Sequence, residues 1–265
     1  MTRIGSMGYA LANETHKAIL HHWSYRANLL FDTVLFAVGF IGLGVWMGDG
    51  DTLRLESRES YFLAFLVWYF CLAAINTMTW SVREETVTGT LEQMAMGTYP
   101  LSMLILGRSL ARFVVTCIQV AFIGGALALI MNISVRLPIE TVPVFVLTIC
   151  GVYGFAYMLG GVTIVFKRVV SVAELLPTLV IINGTFVSVD KFPAWLEGVA
   201  RILPTTQGII VLRKIAFENY TLVDTWSDGS LVFLTVHSLV AFVLGMLIFQ
   251  SCEQIAKHRG TLGQY

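Results

Sequence analysis

The chain has 265 residues, 56% of them hydrophobic and only 13% charged; soluble domains carry about a quarter charged residues, so this composition excludes a soluble globular protein. Seventeen Lys and Arg balance seventeen Asp and Glu, which leaves no basic surface to attract nucleic acid. Cys71, Cys117, Cys150 and Cys252 are widely separated with no C-x-x-C pair, a pattern of neither a disulfide framework nor a metal site.

In chain order, residues 1–26 are polar, with three His, two Arg and one Lys, so no cleavable signal is expected and the mature chain should begin near Met1. Within 10–26, Ala18, Ile19, His22, Trp23 and Arg26 share one helical stripe, with Asn13, Glu14 and Lys17 turned away. This is the pattern of a helix lying along a membrane surface. His16, His21 and His22 lack a Cys or carboxylate at ligand spacing, so interfacial packing is favoured over metal binding.

Apolar runs follow at 27–47, 60–80, 102–131, 141–166, 171–189 and 230–250. A helix needs about 20 residues to cross about 30 Å of hydrocarbon, so six spans are expected. The third is long enough that Ser102 to Gly107 should lie at the interface. The fifth is short and contains Pro177, which predicts a kinked or incompletely crossing helix. With both termini inside, ten of the seventeen basic residues fall on the inner side, and four of the outer seven sit in 190–229. That bias favours cytoplasmic termini.

Between the second and third spans lies Ser81 to Pro100, SVREETVTGTLEQMAMGTYP. Thr90 followed by Gln93 predicts a capping box and a helix from Leu91 to about Met96, stopped at Gly97 with Pro100 beyond. Two turns are marginal in water without a packing partner. Leu91, Met94 and Ala95 form an apolar stripe, while Glu84, Glu85 and Glu92 place negative charge at the helix start, where the helix dipole favours it. Two readings fit these residues: an ordinary capped loop, or a docking helix for a soluble partner.

In residues 190–229, Pro193 suits the first turn of a helix, and Trp195, Leu196, Val199, Ile202 and Leu203 recur at helical spacing until Pro204. A second apolar run, Gly208 to Phe217, is interrupted by Arg213 and Lys214. Each is too short to span, so the expectation is a helical hairpin dipping into the outer leaflet, with a peripheral cap that only stabilises a dimer as the plain alternative to a working part. Polar residues within the spans include Asp32, Asn76, Thr77, Thr79, Gln119, Asn183, Thr185, Ser188 and His237. Most should bond neighbouring helices; Asn76, Thr79, Asn183 and Thr185 are the candidates for a pathway lining. Arg108 and Arg112 share a face at i, i+4, placed to hold lipid phosphates or Glu84 and Glu85.

No H-E-x-x-H and no G-x-S-x-G occurs, so the common catalytic motifs are absent. No Gly-Lys dipeptide occurs either, so the chain cannot form the usual phosphate-cradling loop. The run Glu84-Glu85-Thr86-Val87-Thr88-Gly89-Thr90-Leu91-Glu92-Gln93 resembles the E-x(3–5)-G-T-L-E-Q signature of permease subunits of type-2 ABC transporters, at the place it holds in that family.

The resemblance implies an all-α integral membrane protein forming a single domain over 1–265, with six transmembrane helices, an N-terminal interfacial helix (1–26), a short cytoplasmic coupling helix (loop 83–99) and an outer re-entrant hairpin (190–229). Glu84, Glu85, Gly89, Thr90, Leu91, Glu92, Gln93 and Met94 would couple to an ATPase, and Pro193, Trp195, Leu203 and Pro204 would close the outer end. The implied transporter holds two ABC ATPase subunits, which bind ATP and Mg, and two permease copies, as a homodimer or with a close paralogue. It would sit among the lipids of a bacterial inner membrane and export an amphipathic drug, lipid or lipid-linked glycan. The alternative, an ATP-independent secondary transporter or channel, would favour internal repeats or mid-span charges; no clear repeat is found, and mid-span charges are nearly absent.

Overall fold

A computed structural model of the chain describes residues 58–97, 99–130, 133, 137–166, 183–185 and 189–260, with scattered positions from 9 to 42. Among these residues the regular structure is entirely helical. The elements are α1 (Arg58–Val87), α2 (Thr90–Ala95), α3 (Leu101–Ile130), α4 (Thr141–Val165), a 3-10 turn (Val189–Lys191), α5 (Ala194–Ile202), α6 (Pro204–Phe217), α7 (Leu222–Ser227) and α8 (Ser230–Arg259). The described positions between 9 and 42 are helical.

Four helices are long and apolar enough to cross a membrane: Glu59–Val87, Leu101–Leu129, Thr141–Val165 and Ser230–Arg259. They match the second, third, fourth and sixth expected spans. The run at 171–189 lies largely outside the described residues, and of 27–47 about half of the positions are described, all helical. Two helices extend past the apolar runs. α1 continues from Trp80 to Val87, because nothing between them breaks a helix; at 1.5 Å per residue its 30 residues reach about 45 Å, so one end projects beyond the hydrocarbon. α8 runs on to Arg259 and closes at left-handed Gly260 (φ 60°), with Lys257, His258 and Arg259 in its last turn, a complement to the negative end of the helix dipole.

The interior is organised around a seam between α4 and α8. A Cβ at Gly154 would overlap the Ala241 and Phe242 backbone, one at Gly245 would overlap the Gly154 carbonyl, and one at Gly161 would sit 2.7 Å from the Phe249 Cα. Only glycine lets the two backbones approach so closely. α6 is driven into the same block, with Gly208 against Thr148 and Gly151 against Pro204 and Ser238. One end is filled by Met78, Val82, Leu91, Leu101, Ile105, Tyr157 and Phe249, where the Tyr157 hydroxyl donates to the Ser102 carbonyl at 3.0 Å. Another cluster joins Leu63, Val67, Val144, Ile209, Leu212 and Leu234. Phe40 stacks with Tyr61 (centroids 5.1 Å) and meets Phe62 and Phe65, which ties residues 37–42 to α1. Val114, Ile118, Phe122, Val236, Val240, Val243 and Leu247 point outward, apolar faces suited to lipid.

Candidate functional site

The corner where α1 turns into α2 assembles the signature residues. The Thr88 N–H donates to the Glu84 carbonyl at 2.9 Å and the Gly89 N–H to Thr86 at 3.2 Å. Gly89 then adopts φ 71°, a left-handed conformation that any side chain would disfavour. This reversal starts α2 at Thr90, and the helix ends where expected: the Met96 N–H donates to Glu92 at 3.0 Å and the Gly97 N–H to Met94 at 3.1 Å.

The start differs from the expected capping box. Gly89 is the N-cap and makes no side-chain cap bond. The Thr90 hydroxyl instead donates to the Glu85 carboxylate and meets the Thr88 hydroxyl at 2.7 Å. The physical reason is position: left-handed Gly89 takes the N-cap place, so Thr90 is already the first helical residue and its hydroxyl turns back to the carboxylate that the end of α1 presents.

Glu85 also pairs with Arg108 of α3, Oε1 to Nη1 2.6 Å, with side chains 17% and 19% exposed. Arg108 Nη2 reaches the Met94 sulfur at 3.7 Å. Of the two roles open to Arg108, the structure forms the one with Glu85. Three helices thus meet at one carboxylate.

The apolar stripe of α2 faces inward. Leu91 is 1% exposed, Ala95 is buried, and Met94 packs partly buried on the same cluster. This corrects the expectation that Leu91 and Met94 form the contact surface: they anchor α2 to its own spans, because burial in the chain's core satisfies the stripe. The outer surface belongs to Val87, Thr88, Glu92, Gln93 and Met96, with Met96 74% exposed. Val87 and Met96 escaped the sequence reading, although each is a lone apolar residue among polar neighbours at a helix end.

Beside this corner is a cavity of about 850 Å³, with Lys17, Asn76, Trp80, Glu84, Arg108 and Arg112 among its lining. The N-terminal segment is placed here by Thr15, whose hydroxyl donates to the Gly107 carbonyl at 3.1 Å. Of the four pathway candidates, only Asn76 opens onto this space. Thr79 is buried and donates back to the Ile75 carbonyl at 2.9 Å. Asn183 and Thr185 are buried together in a turn at left-handed Gly184 (φ 82°). The Thr185 N–H and hydroxyl both donate to Asn183 Oδ1, at 3.0 and 2.5 Å, and Arg213 Nη2 donates to the Thr185 carbonyl at 3.4 Å.

In 190–229 both expected helices form. Pro193 is the N-cap of α5, one residue before the place expected for it. Pro204 does not end α5; it opens α6 after an extended Leu203, because its fixed φ suits a first helical position. Trp195, Val199 and Ile202 form an exposed apolar stripe along α5, whereas Pro204 is buried. Arg201 pairs with Glu197 at 2.8 Å and with Asp190 at 3.1 Å on the polar side.

α7 begins with a complete capping box between Thr221 and Asp224, the T-x-x-D pattern of a helix start. The Thr221 N–H and hydroxyl hold the Asp224 carboxyl below the usual carboxylate range. Lys214 reaches Asp228 at 2.7 Å and, with the Ser230 hydroxyl and N–H, brings its carboxyl down to about 2.

A protein-family model described as ABC-2 type transporter matches residues 8–217, from the N-terminal segment to the end of α6. Comparison with curated proteins gives no match.

Proposed function

The chain belongs to the ABC-2 type transporter family, and from that premise we propose that it is the permease of an ATP-driven exporter whose ATPase is a separate polypeptide. The observation that carries the reading is the α2 corner. A two-turn helix is pinned on its inner face by Leu91 and Ala95 and leaves Val87, Glu92, Gln93 and Met96 outward. It is linked through Thr90, Glu85 and Arg108 to α1 and α3. A push on the outer face therefore reaches both long helices.

No Gly-Lys pair exists in the chain to cradle a nucleotide phosphate, so ATP and Mg belong to the partner, in two copies serving two permeases. In this reading α2 and both termini face the cytoplasm of a bacterial inner membrane. An amphipathic drug, lipid or lipid-linked glycan passes between the permease copies and leaves past α5 and α6, with Pro193, Trp195, Leu203 and Pro204 at the outer end. The closed local hydrogen bonds of Thr79, Asn183 and Thr185 favour packing roles over path lining.

The test is to replace Val87 and Met96 by Asp and measure co-purification with the ATPase and transport. The expected outcome is loss of both, with an unchanged gel-filtration profile. Retained co-purification and transport would overturn the coupling role.

A further inference from the structure

We infer that the cavity between α1, α2, α3 and the N-terminal segment binds the headgroup of a zwitterionic aminophospholipid. Three independent features of the lining point to one ligand chemistry. The first is depth. Trp80 lies half exposed with the Arg83 guanidinium 4.9 Å from its ring centroid, at the level where α1 changes from apolar residues to Arg83, Glu84 and Glu85. Aromatic rings and guanidinium groups at such a boundary mark the headgroup zone of a bilayer.

The second is charge. Within the lining, Glu85 and Arg108 neutralise each other across 2.6 Å, and Arg112, which also lines the cavity, is already engaged by a partner of its own. Lys17 and Glu84 also line the cavity, and neither makes an ion pair among the described residues. A purely anionic headgroup would satisfy the Lys17 ammonium and set its charge against the Glu84 carboxylate. A headgroup with a phosphate and a primary ammonium satisfies both, since an ammonium N–H can donate to Glu84 while the phosphate accepts from Lys17. A quaternary choline has no N–H to donate.

The third is the deeper wall. The Asn76 amide lines the cavity half-buried and makes no side-chain hydrogen bond among the described residues, so it is placed to bond a polar group entering the cavity. It stands one to two turns of α1 before Trp80 and Glu84, where the glycerol ester carbonyls of a lipid with its phosphate at Lys17 would fall. Trp80, Met94 and Leu104 supply the apolar surface beside it. The site is independent of an ATPase partner; only its assignment to the inner leaflet rests on the proposed orientation.

The experiment uses the full chain, delipidated in mild detergent and exposed to equimolar phosphatidylethanolamine, phosphatidylcholine and phosphatidylglycerol, with bound lipid counted by native mass spectrometry. Expected is about threefold to fivefold retention of phosphatidylethanolamine over the other two, the range of a solvent-accessible ion pair. Glu84→Gln should abolish that preference while phosphatidylglycerol binds at least as well as before. Lys17→Gln should weaken phosphatidylethanolamine and phosphatidylglycerol alike. Both side chains are exposed, and an unchanged thermal melt confirms that the variants fold. Equal retention of the three lipids by the unmodified chain, or a preference that survives Glu84→Gln, would overturn the inference.

Discussion

The α4–α8 seam and the α1–α2–α3 corner hold helices together by opposite means. Along the seam, Gly151, Gly154, Gly161 and Gly245 bring backbone against backbone. At the corner, contact runs through the tips of long side chains, Glu85 to Arg108 and Arg108 to Met94, beside an 850 Å³ cavity. Backbone packing has almost no tolerance for change, because overlap forces a whole helix to shift. Long side chains bend and re-pair. The seam is thus the less tolerant of the two and the corner the more adaptable, the contrast on which the proposed coupling role depends.

The largest effect is expected at the seam. Gly245→Ala should destabilise by about 3 kcal/mol or more, seen as loss of the monodisperse peak in detergent. Gly198→Ala on α5, where a Cβ meets nothing within 4 Å, should be neutral or stabilising by about 0.5–1 kcal/mol. Similar outcomes at the two positions would erase the contrast.

At the corner, a double-mutant cycle of Glu85→Gln and Arg108→Gln should give a coupling energy of about 1 kcal/mol in thermal unfolding, and either single change should depress transport more than stability. A coupling near zero would mean that the 2.6 Å pair transmits nothing.

The smallest effect belongs to the peripheral pair Lys214–Asp228. Asp228 titrates at about 2 in the folded chain, below the unfolded carboxyl near 3.9. Its stabilisation is thus complete above about pH 4 and lost as pH falls toward 2. Asp228→Asn should cost a few tenths of a kcal/mol at pH 7 and much less at pH 2, where the folded carboxyl is half protonated, read from melting curves at both values.

Much of the fold was legible because hydropathy is a long-range average: the runs near 60–80, 102–131, 141–166 and 230–250 each coincide with a candidate span. Helix ends were less so, since α1 and α8 outrun their apolar segments once polar residues continue the helical pattern. At α2 the helix and its Gly97 stop followed from local chemistry, but the inward turn of Leu91 did not. A six-residue amphipathic stripe has the same pattern whether it faces a partner or its own chain. The loss of the Thr90 capping box has a related cause, because the tight reversal from α1 makes Gly89 the N-cap, and that reversal is set by where the preceding helix ends. The seam glycines were invisible as a set, since Gly154 and Gly245 meet only through the fold.

Their separation along the chain governs how the protein is made. α8 is synthesised after every other described helix, so α4 enters the membrane with its glycine face unfilled and waits for its complement through the translation of α5, α6 and α7. Until α8 arrives, α4 packs mainly on α1 and α6. A ribosome that stalls before Gly245 leaves the glycine face of α4 without the backbone it packs against.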